Sequence, residues 1–355
     1  MVFMRRIWLS SRPGWDIGSR LTQAEVAGRR SYMLDRKVLL GNAAGIACML
    51  IWAANFPLAV SILKTWDPAA LAPVRMMLAG LTVLAATLLA RQWGSLIRLF
   101  ANRRFLLSSI VFGISTLLFV VGQSRIDAVS SAVIVCSMPL FSALMGWREG
   151  VETPGLKLAI AILLTVIGGV LTSLVSAQGS GSEGSLTGVL AMLGAVITYV
   201  WYSRELVLRF GDVPDLAKTS ASTLISALTC FVIAAALSLV TGVMPRHDFS
   251  SGTLAIIVLL ACVSIGLSSV LWLWTGRMVG VTVAAMHHNM VPFYVILLAA
   301  VGGAVISGQH IIGAVLVIAG AIIAQLRPRK RKAGITQPVP AGRAPWAPPR
   351  KRPEA

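Results

Sequence analysis

The chain has 355 residues, of which 56% are hydrophobic and only 12% are charged, and its mean hydropathy is +0.81. Soluble domains carry about 25% charged residues, so this composition excludes a soluble globular protein and indicates a membrane protein. The formal net charge of +18 lies mostly in the two ends of the chain, because basic residues are scarce within the apolar runs.

The two ends of the chain are basic tails. Residues 1–37 hold eight Lys and Arg residues and no apolar run long enough for a signal peptide, which indicates a retained tail. An alternative start of translation is Met33, directly before the first apolar run. Residues 327–355 combine nine basic residues with seven prolines and are predicted to be disordered. We interpret this basic run as an orientation signal near anionic lipid rather than as a nucleic-acid site.

Ten apolar runs are long enough to form membrane spans, since crossing the hydrocarbon needs about 20 residues per helix. The predicted helices cover residues 39–63, 68–91, 104–122, 128–147, 155–176, 186–203, 215–241, 252–275, 280–304 and 309–326. Apart from Asp215, at the first position of its range, no Asp or Glu falls inside these ranges. With the N-terminus in the cytoplasm, 27 Lys and Arg residues fall inside and three outside, as the positive-inside rule requires. The sequence therefore predicts an all-α integral membrane protein of the inner (plasma) membrane with both termini in the cytoplasm.

An internal repeat relates the two parts of the chain. Aligning Pro139 with Pro292 pairs "SSAVIVCSMPLFSAL" with "VAAMHHNMVPFYVIL", and each segment precedes a turn and a Gly-rich helix. Because five is odd, a second five-helix copy enters the bilayer from the opposite side, and the inverted copies share an interface at the midplane. Chance hydropathy symmetry is the alternative. The predicted domains are the tails of residues 1–37 and 327–355 and the repeats of residues 38–178 and 179–326.

Several segments resemble the EamA family of the drug/metabolite transporter superfamily. They are "IWAANFPLA" (51–59), "PVRMMLAG" (73–80), the two proline helices just aligned, and "IIGAVLVIAGAIIAQ" (311–325). The resemblance covers about residues 39–326 and implies ten helices in two inverted five-helix halves that move small organic metabolites. Relatives often carry Gly-Glu in the turn before the last helix of each repeat. The second turn here reads "SGQH", which puts a role for a glutamate there in doubt.

Three of the prolines inside predicted spans lie at least six residues from either end of their span. Pro57, Pro139 and Pro292 each remove a backbone donor and free the carbonyl four residues earlier. Broken helices at membrane depth are tolerated where they line a cavity, so the three prolines predict three walls of one cavity. The alternative is that each proline only kinks its helix for packing.

Four polar residues in the spans are candidate substrate ligands. Asn55 lies beside Pro57 and can donate to a ligand or bond to a neighbouring helix. Arg75 lies about 10 Å below the outer end of its span. There it can bind a carboxylate or phosphate, brace a helix, or snorkel to the interface. His288 and Asn289 share one helix face with a proline, and His288 can bind substrate, carry a proton, or serve a structural role.

Aromatic and sulfur-containing side chains complete the candidate set. Trp52, Trp201 and Tyr294 are predicted to line the cavity, although most aromatic residues in spans serve packing. The four cysteines show no metal-binding spacing, so we predict neither a metal nor another cofactor. GxxxG spacings occur in the spans and permit a homodimer.

The predicted function is secondary transport of a small polar or amphipathic metabolite, amino-acid-like or drug-like, by alternating access and in the direction of efflux. No enzyme activity is expected, since the spans hold no paired carboxylates and no nucleophile with a base. The alternative is a non-transporting membrane scaffold or lipid-handling protein, which needs no polar cluster at the midplane. The expected partners are the metabolite and membrane lipids, without nucleic acid.

Overall fold

The computed structural model describes residues 23–149, 155–180, 182–279 and 287–325, and within these ranges the chain folds into helices joined by short connections. The helices of the first half are α1 (Gln23–Ala53), α2 (Asn55–Ile62), α3 (Pro68–Leu89), α4 (Trp93–Phe100), α5 (Arg103–Gln123), α6 (Ala128–Val135), α7 (Met138–Arg148) and α8 (Leu156–Ser180). Those of the second half are α9 (Ser182–Arg209), α10 (Asp215–Thr241), α11 (Ser251–Val258), a π-helical segment (Leu259–Leu267), α12 (Ser268–Val279), α13 (Val291–Val301) and α14 (Gly308–Gln325).

Seven helical segments of the described residues are long and apolar enough to cross a membrane. They are Val38–Ile62, Pro68–Leu89, Arg103–Gln123, Ala128–Arg148, Leu186–Arg209, Asp215–Thr241 and Ser251–Val279. Shorter apolar helices at Ala159–Leu171, Val291–Val301 and Gly308–Gly320 coincide with the remaining predicted spans. The start of the predicted helix 280–304, residues 280–286, lies outside the described residues. The multi-pass helical fold is therefore confirmed, whereas ten crossings remain a prediction.

Two helical regions differ from the sequence-based prediction. Helix α1 begins at Gln23, so part of the predicted basic tail of residues 1–37 is helical and continuous with the first span. Helix α4 occupies the connection between two predicted spans, where the sequence analysis places no element. Its eight residues are too few for a span, which explains why a search for long apolar runs misses it.

The two proline helices aligned in the sequence are interrupted at corresponding positions. Turn residues 136–137 separate α6 from α7, and Pro139 lies two positions after the end of this turn. Turn residues 289–290 stand in the same relation to Pro292. A third interruption, at Ala54, separates α1 from α2. Each helix thus stops within one turn before a proline, where the missing N–H and the ring of proline disrupt the ladder.

Helices of the first half pack mainly against helices of the second half. Helix α1 contacts α12, α3 contacts α10 and the π-helical segment, and α5 contacts α9 and α10. Helix α6 packs on α13, and α8 packs on α14. The largest apolar core follows this division, because it combines Phe56 and Val133 of the first half with Met192 and Val291 of the second. The interface between the halves is therefore the core of the protein.

One end of the bundle, which we call the Asp67 end, is held by the loop between α10 and α11. Arg246 donates its backbone N–H to Asp67 Oδ2 at 2.7 Å, and its guanidinium lies 3.5 Å from Asp67 Oδ1. The indole N–H of Trp66 donates to the carbonyl of Asp248 at 2.9 Å. Hydrogen bonds from Thr253 and Ser250 lower the pKa of Asp248 below its ordinary value. The loop thus connects the start of α3 in the first half to α11 in the second.

At the opposite end, which we call the Glu205 end, the apolar helical segment Leu186–Arg209 extends past the predicted span 186–203 and includes Glu205. Glu205 lies inside the span Leu186–Arg209 and accepts hydrogen bonds at 3.0 Å from both Arg104 and Arg209. Two guanidinium groups compensate the carboxylate, which makes its position inside a span tolerable. Arg204 of the same helix pairs with Glu149 at the end of α7.

Glycine permits the closest contact between α8 and α14. A Cβ atom at Gly168 would lie 2.6 Å from the carbonyl oxygen of Gly313, a backbone atom that cannot rotate away. The adjacent Gly169 faces open space, with no heavy atom within 4 Å of the corresponding Cβ position. The sequence therefore offers a tightly packed glycine and a matched control side by side.

We predict that Gly168→Ala separates α8 from α14 and destabilises the fold, whereas Gly169→Ala does not. The clash should lower the free energy of unfolding by about 1–3 kcal/mol. Alanine at the open position should leave it unchanged or raise it by up to about 1 kcal/mol through helix propensity. Thermal unfolding of the two variants in detergent measures the difference, and equal midpoints would contradict the proposed close contact.

Candidate functional site

The interface between the halves contains a group of buried polar side chains separated by aromatic rings, which we call the central cluster. We assign to it the buried Arg75 and Gln123, the partly buried His288, the aromatic residues Trp52, Phe56 and Phe119, and the buried Asn55, which directly precedes Phe56. The cluster draws on α1, α2, α3 and α5 of the first half and on the segment before α13 of the second.

Arg75 lies inside the protein rather than at a membrane surface. Arg75 is only 4% exposed, and its Nη1 donates a hydrogen bond to Oε1 of Gln123 at 3.4 Å. The guanidinium lies over the ring of Phe119 at 5.4 Å from the centroid, a cation–π contact. No salt bridge among the described residues includes Arg75, so its charge is balanced only by the ring and the amide. Snorkelling, one of the alternatives for Arg75, is inconsistent with this burial.

Three aromatic rings connect Arg75 to His288. Phe119 contacts Phe56 edge to face with centroids 5.9 Å apart, and Phe56 contacts Trp52 in the same manner at 5.2 Å. The Trp52 indole then lies 4.9 Å from the imidazole of His288. Three aromatic rings of the first half therefore lie in a row between Arg75 and His288 of the second half.

Four buried polar atoms of the central cluster have no hydrogen-bond partner among the described residues. They are Asn55 Oδ1, Arg75 Nε, Gln123 Nε2 and His288 Nε2. Arg75 Nε and Gln123 Nε2 carry hydrogens and can only donate, whereas Asn55 Oδ1 can only accept. Leaving such groups unpaired in the interior costs free energy, and natural proteins usually accept that cost at functional sites.

The two broken spans meet beside His288. Pro292 cannot donate to the carbonyl of His288, and the Sγ of Cys136 lies 3.9 Å from that oxygen. Cys136 itself belongs to the turn that precedes Pro139. The interruption in one half thus provides the donor for the carbonyl released in the other.

The remaining predicted site residues fall into three environments. Asn289 is buried at 5% exposure directly after His288, and Tyr294 is partly buried against the main apolar core. Pro57 and Pro139 are partly buried, and Pro292 is buried. Trp201 requires a correction, because its side chain lies on the surface of α9 with the residue 40% exposed. Its alignment with Trp52 does not extend to a common environment, since helix rotation decides which face of a span points inward.

Gln123 is only 1% exposed and contacts Arg75, but it is not among the site residues predicted from the sequence. Gln123 is the last residue of α5 and lies one position outside the predicted span 104–122. A glutamine at the end of a span is ordinary, so no sequence signal marks it. The hydrogen bond to Arg75 becomes visible only when α3 and α5 are seen side by side.

Two surface pockets among the described residues lie apart from the central cluster. Surface pockets of about 270 Å³ beside Trp147 and about 180 Å³ beside Asp67 do not include any member of the central cluster. Among the described residues, no group of three His, Cys, Asp or Glu side chains is placed to hold a metal ion.

Comparison with known proteins identifies the class. Residues 39–174 match the model of the EamA-like transporter family, part of the drug/metabolite transporter superfamily, so the first half of the chain is similar to these transporters. Together with the seven apolar helical segments, this match supports a multi-pass membrane protein.

Solved structures share the fold. A structure described only as "Crystal structure of protein" is similar over 80% of this chain and 96% of its own, with 20% sequence identity and a TM-score of 0.56. At that identity the similarity concerns the fold alone. No curated protein matches the chain.

We predict that substituting Arg75 and Gln123 together costs less stability than the two single substitutions would suggest. Arg75→Met or Gln123→Leu leaves the other polar group buried without its partner, which should cost about 1–3 kcal/mol. The double variant removes both polar groups and should recover most of that loss. Thermal unfolding of the two single variants and the double variant completes the cycle, and additive losses would show that the residues act independently.

Proposed function

We propose that the protein is a secondary transporter that exports a small amphipathic metabolite with an acidic group, amino-acid-like in character, across the plasma membrane by alternating access. The central cluster is the substrate site, and both termini lie in the cytoplasm. The observation that carries this proposal is the set of unpaired polar atoms buried between the two halves. A non-transporting scaffold would have no use for such groups.

The pairing of helices supports an inverted ten-helix architecture. In such an architecture α1 of the first half corresponds to α9 of the second, and α5 corresponds to the span that contains α12. If α1 contacts α12, the symmetry therefore requires that α9 contacts α5. Both contacts are present. The contacts of α3 with α10, α6 with α13 and α8 with α14 each join corresponding helices. Such symmetry places the substrate site on the axis, where the halves meet.

The chemistry of the central cluster favours a substrate with separate acidic and basic groups. The buried charge of Arg75, with unpaired N–H donors on Arg75 and Gln123, is complementary to a carboxylate. The unpaired oxygen of Asn55 is complementary to an ammonium or another donor. Trp52, Phe56 and Phe119 provide apolar surface between these groups, which fits the carbon skeleton of the substrate.

Ion pairs at both ends of the bundle support alternating access. Asp67 and Arg246 connect the halves at one end, and Arg104 and Glu205 connect them at the other. In the proposed cycle one pair opens while the other stays closed, so that the substrate site never connects the two sides. Exposed ion pairs are suited to this role, because each contributes only about 0–1 kcal/mol and separates readily.

We predict that a bound metabolite raises the thermal stability of the parent protein but not that of a variant without Trp52. A metabolite that binds the folded protein raises its free energy of unfolding, by about 2.7 kcal/mol at 100 times its dissociation constant. Thermal unfolding across a panel of amino acids, their amides and their decarboxylated amines should show stabilisation by compounds that retain the carboxylate. Trp52→Leu should abolish this response, while Trp201→Leu, on the exposed surface of α9, should retain it.

Uptake of the stabilising compound into inside-out vesicles then tests export. Stabilisation without uptake would favour a lipid-handling or scaffold role. Equal stabilisation by compounds with and without a carboxylate would contradict the role of Arg75.

We also predict that a disulfide at the Asp67 end blocks transport. The backbone N–H of Asp67 donates to the carbonyl of Arg246 at 2.9 Å, so cysteines at these positions lie close together. Asp67→Cys with Arg246→Cys should stop transport under oxidation and restore it under reduction. Each single cysteine variant is the control, and undiminished transport by the oxidised double variant would rule out opening at this end.

A further inference from the structure

Helix α4 lies at a membrane surface. It joins α3 to α5, both of which are long and apolar enough to cross the membrane, so it must lie where the first leaves the membrane and the second enters. Its eight residues extend about 12 Å, too short to cross the hydrocarbon. The position is at the Glu205 end, since Arg104 in the first turn of α5 pairs with Glu205.

The two faces of α4 have different surroundings. Leu99, 3% exposed, packs into an apolar cluster with Phe105 and Phe210 at the ends of α5 and α9. The other face exposes a stripe of three large apolar side chains, namely Trp93 (62%), Ile97 (52%) and Phe100 (39%). Their spacing of four and three residues places them on one side of the helix, directed away from the protein.

Basic side chains surround this exposed stripe. Arg91, Arg98 and Arg103 are exposed, and none of them forms an ion pair with any described residue. Nε of Arg98 donates to the carbonyl of Gly94 at 3.1 Å, which holds this guanidinium against α4. Residues 90–104 contain no Asp or Glu, so the positive charge of the segment is uncompensated except at Arg104.

We propose that α4 is an interfacial helix that binds anionic phospholipid headgroups. The stripe of Trp93, Ile97 and Phe100 inserts between acyl chains, and Arg91, Arg98 and Arg103 bind the phosphates above it. Charge complementarity selects anionic lipid over zwitterionic lipid, because three free guanidinium groups lie beside the apolar stripe without an acidic neighbour. The proposal does not depend on which metabolite the protein moves.

The backbone conformation at Arg91 allows its charge to be removed without straining the fold. Arg91 has a φ of 55°, in the left-handed region that glycine adopts without cost. Arg91→Gly therefore relieves the backbone while it removes one charge. If Arg91 served only the fold, this variant would be at least as stable as the parent protein and unchanged in its lipid preference.

The full-length protein is exchanged into micelles that contain phosphatidylcholine, phosphatidylglycerol or an equal mixture of the two. Native mass spectrometry then measures which lipid the protein retains. The parent protein should retain phosphatidylglycerol preferentially. Arg91→Gly should weaken that preference about fivefold, and Arg91→Gly with Arg98→Gln and Arg103→Gln should weaken it much further, since each basic residue near a membrane contributes about 1 kcal/mol. Arg125→Gln is the matched control, because Arg125 is exposed after the end of α5 at the Asp67 end.

Two results would overturn the proposal. One is a phosphatidylglycerol preference that stays the same in the triple variant and in Arg125→Gln. The other is a change of oligomeric state in the triple variant without any change in lipid preference, which would show that α4 contacts a second copy of the chain. Thermal unfolding of Arg91→Gly verifies that the fold is retained, so a loss of lipid preference in this variant cannot come from unfolding.

Discussion

Backbone carbonyls released inside a membrane need donors from the protein, because the hydrocarbon provides no water. This requirement links the two halves of the chain at its centre. Pro292 deprives the carbonyl of His288 of its helical donor, and the thiol of Cys136 from the other half lies within reach of it. A break in one span is therefore tolerable only while the broken span of the other half stays beside it.

The cysteines repeat this arrangement throughout the interface. Each of the four thiols lies within hydrogen-bond distance of a backbone carbonyl in the opposite half. The pairs are Cys48 with Ser268, Cys136 with His288, Cys230 with Gly113, and Cys262 with Leu78. A thiol is a small, weakly polar donor, so it joins helices without bringing a strongly hydrated group into the core. The sequence shows only that these cysteines lack metal-binding spacing, and it does not reveal the carbonyls, which lie more than 100 positions away.

The central cluster follows the opposite principle. Four of its buried polar atoms have no hydrogen-bond partner among the described residues, and each such group costs about 1–3 kcal/mol. The surrounding helices, held close by small residues such as Gly168, compensate this instability elsewhere. A ligand that pairs with Arg75, Gln123 and Asn55 would recover the lost hydrogen bonds, so binding would also strengthen the interface between the halves.

Sequence patterns predicted the broad architecture better than the details of the site. Long apolar runs located the spans, since hydrocarbon thickness sets their length, and Asn55 and Arg75 were conspicuous because such residues are rare in apolar surroundings. Trp201 was misplaced, as composition does not reveal which side of a helix faces inward. Gln123 and α4 were missed because a polar residue at a helix end and a short amphipathic turn are common in any membrane protein.

Two distortions distinguish the halves of the chain. The interruption at Ala54 has no equivalent in α9, which is continuous, and the π-helical segment Leu259–Leu267 has no equivalent in α5. Identical halves exchanging roles would give the inward-facing and outward-facing forms the same energy. In the proposed cycle, unequal halves give the two forms different energies, so the protein would rest in one preferred orientation before any substrate arrives. A substrate would then shift the equilibrium by the difference between its affinities for the two forms.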